Sequence, residues 1–371
     1  MKIIISYASA GAGHFKAAEA IYNYIKGKNT DYDLSLIDIL DKTPGLFRFF
    51  YKRGYSFMVR YAVYLWWFAF WVTEFRPLRF ITRAIAKFLN KLSTASFAGD
   101  LIKENPDLII STHFLPSEIA ASLKKNNRIA SKVVTVVTDF DVHPFWISPG
   151  TDFYVTASGL AGKTLAREGV NPEKIKEYGI PVDPKFLKNE DREEIKRNLG
   201  LVTDKFTVLL MTGSFGFGPL EEIVRVLSPE IQVIVVCASN ERLYRRLISK
   251  DLPSVKVYGF VDNGQELMAA SDVIITKPGG LSISEILCKE LAPIFICVIP
   301  GQEAYNVRAL SEYGVGVRPK SAEDIRRIII DYRNNPEKLE AVRKNIRKVR
   351  KPDTLGEIYN AIRPGGPWSC S

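Results

Sequence analysis

Short, β-branched and almost wholly apolar runs recur along this chain, separated by stretches with helical spacing of apolar residues. Residues 2–6, 34–39, 107–111 and 132–138 form a first series of such runs, with helical patterns such as 16–24 and 117–123 between them. A strand that is apolar on both faces needs cover on both, and parallel sheets obtain it from crossover helices. A second series follows at 206–211, 232–237, 255–258, 272–276 and 293–297, with helical patterns at 282–289 and 322–332. Two series predict an α/β protein of two doubly wound, Rossmann-like domains. Tyr178-Gly179-Ile180-Pro181-Val182-Asp183-Pro184 interrupts both periodicities. The expected domains are therefore 1–182 and 183–352. The helical pattern at 355–362 is expected to pack back on the first domain, within a C-terminal piece 353–371 that ends as a tail. A length of 371 residues suits this division.

Charge narrows the partners. The chain carries 51 Lys and Arg against 41 Asp and Glu, a surplus of +10 that favours a polyanion or a phosphate-bearing ligand. Most of the surplus falls in an insert at about 44–91. Arg48, Lys52, Arg53, Arg60, Arg76, Arg79, Arg83, Lys87 and Lys91 face one acid, Glu74, and give 9 − 1 = +8. Residues 47–75 also hold 14 of the 42 aromatic residues. Aromatic rings and cations together suit the headgroup layer of an anionic membrane. Arg60, Tyr64, Trp66, Trp67, Phe70 and Trp71 are the expected contacts. The insert also fits a buried helix hairpin with a solvated basic edge. Stacking on single-stranded nucleic acid fits less well, because no RRM, KH or OB signature accompanies it. The 13 uncharged residues from Tyr61 to Thr73 fall short of the roughly 20 that span a bilayer, and no export signal is expected. A second basic run, Arg343, Lys344, Arg347, Lys348, Arg350 and Lys351, has the pattern of a solvated helix face that assists docking at most. Four cysteines without a CxxC spacing point to a reducing compartment, and the three histidines form no zinc pattern.

The loops carry the chemistry. The first strand runs into Ser9-Ala10-Gly11-Ala12-Gly13-His14, where the glycines let a ligand approach a helix N-terminus. His14 in the first helical turn meets the positive end of the helix dipole, which disfavours imidazolium and keeps a neutral base available. A capping or merely packed histidine is the plainer alternative. As a dinucleotide fingerprint the loop is incomplete, with Lys16 in place of the third glycine; Asp38 would be its ribose acid. In the second series, Thr212-Gly213-Ser214-Phe215-Gly216-Phe217-Gly218-Pro219 is glycine-rich but no Walker A loop. Lys277-Pro278-Gly279-Gly280-Leu281-Ser282-Ile283-Ser284-Glu285 is a second strand–glycine–helix passage, suited to a pyrophosphate, with Glu285 placed for ribose hydroxyls. Pro300-Gly301-Gln302-Glu303 is a third, and Gln302 and Glu303 suit sugar hydroxyls.

These blocks resemble a known family. Gly11-Ala12-Gly13-His14 with Ala17-Ala18-Glu19-Ala20-Ile21, the Lys277-to-Glu285 passage, and Pro300-Gly301-Gln302-Glu303 are similar to those of monogalactosyldiacylglycerol synthases and bacterial processive diacylglycerol glucosyltransferases. The second-domain block is partly shared with the enzyme that adds N-acetylglucosamine to the peptidoglycan lipid precursor. Val137-Thr138-Asp139 with His143 and Trp146 leans toward the diacylglycerol group. Ser282 stands where many relatives have Thr, which keeps the hydroxyl. The resemblance covers 1 to about 350 and implies a GT-B fold, two Rossmann-like domains facing a cleft. It also implies an inverting transfer of glucose or galactose from a UDP-sugar to 1,2-diacylglycerol, with no cofactor and no bound catalytic metal.

By that resemblance His14 would be the base or acceptor-positioning residue. Gly13, Gly213, Ser214, Phe215 and Gly216 would contact the donor, as would Lys277, Pro278, Gly279, Gly280 and Ser282. Phe260 and Val261 would meet uracil, Glu285 ribose, and Gly301, Gln302 and Glu303 the hexose. Asp139, His143 and Trp146 would line the acceptor side. The expected setting is peripheral, on the cytoplasmic face of the cell membrane, with no nucleic acid; a homodimer stays open. Three rivals remain at this point: N-acetylglucosaminyl transfer to a polyprenyl-linked acceptor, a non-catalytic membrane-adsorbed nucleotide-sugar binder, and a dehydrogenase.

Overall fold

The computed structural model describes all residues except 10, 29–30, 50, 52–53, 55–70, 74–81, 83–89, 91–92, 229 and 370–371. The chain divides into two compact units. The first comprises Met1–Asp183, Ile299–Asn306 and Lys351–Ser371; the second comprises Pro184–Val298 and Val307–Arg350.

The first unit is built on a six-stranded parallel sheet in the order β2-β1-β3-β4-β5-β6. Its strands are β1 (Lys2–Tyr7), β2 (Asp33–Asp38), β3 (Leu108–Ser111), β4 (Lys132–Val136), β5 (Phe153–Val155) and β6 (Ile175–Lys176). Successive side chains of a strand point to opposite faces, and here both faces are apolar. Ile3, Ile5, Leu108, Ile110, Val134 and Val136 pack against the helix Ala12–Gly27 and the helix Thr354–Ile362. Ile4, Ile109 and Val133 pack on the other face against the helices Ala95–Glu104 and Phe114–Lys125. The C-terminal helix thus completes the first unit: Leu355, Ile358, Ala361, Ile362 and Trp368 are core residues there.

The second unit holds a five-stranded parallel sheet in the order β11-β10-β7-β8-β9. Its strands are β7 (Thr207–Met211), β8 (Gln232–Val236), β9 (Val255–Tyr258), β10 (Val273–Thr276) and β11 (Ala292–Phe295). The same alternation holds. Val208, Leu210, Val233, Val235, Val273 and Ile275 face one core, while Leu209, Ile234, Val236 and Ile274 face the other.

Three differences from the sequence expectations have physical causes. Strands β5 and β6 have three and two residues, too few for a period to show. The strand expected to reach 138 ends at Val136; Val137 still donates to Val155 O, but Thr138 turns its hydroxyl toward His14. Residues 299–306, expected with the second domain, group with the first unit through Asn306, whose side-chain carbonyl accepts from Phe140 N.

The basic run on the helix Pro336–Val349 is largely neutralised. Arg347 pairs with Glu290 and Glu340, Arg350 with Glu290, Lys351 with Glu177, and Arg343 approaches Asp272 at 3.9 Å. A docking role for that run loses its support, because most of its charge is spent within the fold.

Candidate active site

In an open parallel sheet the crevice lies at the carboxyl ends of the strands, where strand order reverses. In the first unit that point falls between β1 and β3. The loop after β1 leads to the helix Ala12–Gly27, whose first turn contains His14 and whose N-terminus no side chain caps. The loop after β3 brings Thr112 and His113, and the end of β4 brings Thr138.

His14 Nδ1 lies 2.8 Å from Thr112 O and 2.9 Å from Thr138 Oγ1. A carbonyl oxygen only accepts, so Nδ1 carries the ring proton and Nε2 presents its lone pair. Thr112 Oγ1 donates back to His14 O at 2.8 Å. Burial pushes the His14 pKa down to about 4, with the Thr112 carbonyl opposing the shift. His14 as a whole is only partly buried, so dense surrounding protein rather than full enclosure of the residue causes the shift. The helix dipole acts in the same direction. The resting ring is therefore neutral, as a general base must be.

Around it lies a shell of rings. His113 stands edge-on to His14 with centroids 4.5 Å apart, and Trp146 is 6.2 Å away. His113 Nδ1 caps the helix Phe114–Lys125 by accepting from Leu115 N at 3.0 Å. Burial first, and His14 second, hold His113 well below its ordinary pKa. Asp139 is buried, and its carboxylate accepts from Gln302 Nε2 at 3.1 Å and Asn306 Nδ2 at 3.5 Å. Burial raises its pKa to about 6 against the effect of those amides. The Trp146 indole N–H finds no acceptor at hydrogen-bonding geometry, yet it lies near enough to Asp139 to favour the charged carboxylate. His143 Nδ1 accepts from Phe145 N, and its Nε2 lies 3.2 Å from Thr73 Oγ1. All three acceptor-side residues are buried, and Trp146 links the His14 ring to Asp139.

The second sheet reverses between β7 and β10, and the two glycine loops follow those two strands. Gly213, Gly216 and Gly218 all have positive φ, at 79°, 56° and 114°. At Gly216 a Cβ would lie 2.3 Å from Cys237 O, so glycine is required there for packing as well as for conformation. Asn240 Nδ2 donates to Gly216 O and Ser239 Oγ to Ser214 O, which ties this loop to the one after β8. Phe215 is 54% exposed beside Phe217. After β10, Gly279 precedes the helix Gly280–Cys288, again without a side-chain cap. Its free N–H groups and dipole suit a diphosphate. Ser282 and Glu285 lie on that helix, partly buried, one and two turns from its start. Lys277 and Pro278 lead into it, and Gly279 N bonds Lys277 O. Phe260, after β9, is 78% exposed, with Val261 half-buried next to it. Gly301 has φ 101°, and Glu303 Oε2 accepts from Ile299 N, so Glu303 folds its own loop and Gln302 is held by Asp139.

Thr112, His113 and Thr138 are not legible from sequence as neighbours of His14. Thr212, at the end of β7, and Ser9, after β1, have buried hydroxyls with no hydrogen-bond partner among the described residues. Asp38, the ribose acid of the dehydrogenase alternative, accepts from Ser9 N and Leu40 N and is absorbed in its own turn.

Of the expected membrane contacts, Arg60, Tyr64, Trp66, Trp67 and Phe70 lie outside the described residues. Trp71 is 43% exposed, and Leu46 and Phe49 are 72% and 49% exposed. Among the described residues no helix is long and apolar enough to cross a membrane, and no group of three or more His, Cys, Asp or Glu is placed to hold a metal ion. Among the described residues Cys237, Cys288 and Cys297 form no disulfide. A cavity of about 670 Å³ between the helices Ala95–Glu104 and Phe114–Lys125 is lined by Ala98, Ile102, Ile119 and Leu123; none of the expected site residues lines it.

Comparison with known proteins matches two stretches of the chain to family descriptions. Residues 14–182 match monogalactosyldiacylglycerol (MGDG) synthase, and residues 207–354 match the glycosyltransferase family 28 C-terminal domain. Monogalactosyldiacylglycerol synthase 1 of Arabidopsis thaliana is 32% identical over 97% of this chain and 70% of its own length. The processive diacylglycerol beta-glucosyltransferase of Staphylococcus saprophyticus is 30% identical over 95% of this chain and 89% of its own. Among solved structures, MurG of Acinetobacter baumannii superposes with a TM-score of 0.60 at 12% identity, covering 98% of this chain and 99% of that one. HepE of Anabaena, solved with UDP-glucose, gives 0.56 at 15% identity, covering 97% and 98%. The fold is that of the GT-B glycosyltransferases.

Proposed function

The chain belongs to the monogalactosyldiacylglycerol synthase family, and from that premise we propose that it transfers glucose or galactose from a UDP-sugar to 1,2-diacylglycerol. One observation carries the chemical part: His14 donates Nδ1–H to Thr112 O and so keeps Nε2 as an acceptor. The donor is assigned to the loops after β7 and β10. Its diphosphate lies against the uncapped start of the helix Gly280–Cys288, and Glu285 meets the ribose. His14 Nε2 takes the proton of the diacylglycerol hydroxyl as that oxygen attacks the anomeric carbon from the face opposite the diphosphate. The C1–O bond to phosphate breaks, and UDP leaves with the electron pair. The products are a β-glycosyldiacylglycerol and UDP. Backbone N–H dipoles at the helix start are fixed before reaction, so they stabilise the leaving charge without reorganising. No cofactor beyond the UDP-sugar is called for.

We assign the lipid-facing side to the region of Leu46, Phe49 and Trp71, which makes the protein a peripheral one at the cytoplasmic face of the cell membrane. N-acetylglucosaminyl transfer to a polyprenyl-linked acceptor is the second reading. It is favoured less, because the likeness to MurG lies in the fold at 12% identity while that to the diacylglycerol enzymes extends through the sequence.

Diacylglycerol vesicles incubated with UDP-glucose, UDP-galactose or UDP-N-acetylglucosamine separate these readings by the mass and anomeric configuration of the lipid product. A β-hexosyldiacylglycerol supports the proposal. UDP binding without UDP release, or transfer from UDP-N-acetylglucosamine alone, overturns it. His14→Ala is expected to lower turnover by about 10²–10⁴-fold with UDP binding intact.

A further inference from the structure

We propose that Thr112 and Thr138 are positioning residues for His14, holding its imidazole in the Nδ1–H tautomer with two neutral oxygens in the place where hydrolase triads use a carboxylate. The proposal rests on His14 acting as the base.

Three adjacent strands deliver the three groups to one point. β1 leads to His14, β3 to Thr112 and β4 to Thr138, and the sheet order places β3 between the other two. Thr112 N donates to Ser6 O, which fixes Thr112 in register beside β1. Its carbonyl then accepts from His14 Nδ1, and its hydroxyl donates to His14 O. One residue therefore grips both the ring and the backbone of His14. Because Nδ1 already bears the proton that the carbonyl requires, Thr138 Oγ1, 2.9 Å away, meets that proton as a second acceptor.

No carboxylate competes for the ring among the described hydrogen bonds. Asp139, next in sequence to Thr138, is turned to Gln302 and Asn306. His113 is the titratable ring packed against His14, and its Nδ1 is occupied by Leu115 N. When Nε2 takes a proton, the imidazolium is thus stabilised by two oxygen dipoles and, among the described hydrogen bonds, by no carboxylate. Such a cation surrenders its proton readily after each turnover.

The arrangement makes a spectroscopic distinction possible, because the chain has three histidines. His113 and His143 each accept at Nδ1 from a backbone N–H, at Leu115 and Phe145, so both are Nε2–H tautomers. His14 is the one Nδ1–H ring of the three.

The test uses the full chain with ¹⁵N-labelled histidine, together with turnover on diacylglycerol vesicles. At neutral pH one ring, absent from His14→Ala, should show the Nδ1–H tautomer. Thr138→Val should shift that ring toward Nε2–H, lower kcat by about tenfold to a hundredfold and leave the donor KM unchanged; the acid limb of the kcat profile should move to lower pH. Thr138→Ser should restore the tautomer, kcat and the acid limb. Thr112→Val, which keeps the carbonyl, should broaden the ring resonance and lower kcat by a smaller factor. If Thr138→Val lowers the melting temperature so far that it cannot be assayed, Thr138→Ala carries the same expectation. In a His14→Ala background, Thr138→Val should cause no further loss.

An Nε2–H tautomer at His14 in the wild type overturns the proposal. So does a Thr138→Val enzyme with unchanged kcat and pH profile, or one whose loss repeats in full without His14. If instead His14→Ala keeps normal turnover while the tautomer is as described, the base assignment fails and the positioning geometry stands. The two failures are therefore told apart.

Discussion

Asp139 Oδ2 accepts from Gln302 Nε2 at 3.1 Å, joining residues 163 apart in sequence through a buried carboxylate. Burial holds that carboxyl at about 6 against an ordinary 3.8, so the native state keeps a proton that the unfolded chain has lost across this interval. Where the native state binds more protons, stability falls as pH rises. Asp139 therefore favours folding at the acid end and loses that contribution, on the order of 2–3 kcal/mol, as pH rises from 3.8 to 6. Asp139→Asn should abolish this fall. Melting temperatures between pH 4 and 8, at constant ionic strength, should show a steeper rise with pH in the variant than in the wild type.

His14 acts with the opposite sign. Its pKa of about 4, against an ordinary 6.5, means that the unfolded chain binds the extra proton. Stability consequently rises with pH between about 4 and 6.5, and His113, also held low, adds to the rise. His14→Gln should remove about 3 kcal/mol of that rise and leave stability above pH 7 nearly unchanged. A variant as pH-sensitive as the wild type would show that the His14 ring is not buried in its neutral form.

Two glycines should respond to alanine in different ways. Gly279 has an ordinary φ of −71°, and a Cβ there would meet nothing within 4 Å. Gly279→Ala should fold with an unchanged melting temperature and still bind UDP about tenfold or more weakly, because the methyl group keeps the diphosphate from the backbone N–H groups. Gly216→Ala places its Cβ against Cys237 O and should cost about 1–3 kcal/mol of stability as well as donor affinity. Calorimetry with UDP beside thermal melts distinguishes the two.

Leu46 and Phe49 are exposed next to Phe47 and Tyr51, which pack on the core of the first unit. Two apolar side chains entering a bilayer contribute roughly 1–2 kcal/mol each. Leu46→Ser with Phe49→Ser should lower binding to vesicles containing anionic lipid by about tenfold or more, with UDP affinity intact. Sedimentation with vesicles reads this directly, and unchanged binding would move the lipid-facing side elsewhere.

How far the sequence could carry these conclusions depended on the distance between interacting residues. Parallel strands announce themselves locally, since Ile3-Ile4-Ile5 or Val233-Ile234-Val235 must be apolar on both faces. The glycine loops were legible for the same local reason. The partners of His14 were not, because Thr112 and Thr138 lie 98 and 124 residues away and threonine is common in such strands. Charge misled in a similar way. Arg347 has one partner, Glu340, on its own helix, but its other partner, Glu290, lies 57 residues back in the chain.

The helix Thr354–Ile362 seals the apolar face made by Ile3, Ile5 and Ile110, strands that leave the ribosome more than two hundred residues earlier. During translation the helix Ala12–Gly27 covers only part of that face while the whole of Pro184–Val298 is synthesised. The five-stranded sheet can condense as soon as it emerges, whereas the older half must wait for Trp368. Nascent chains stalled before residue 354 thus still expose the part of this face that the last helix covers.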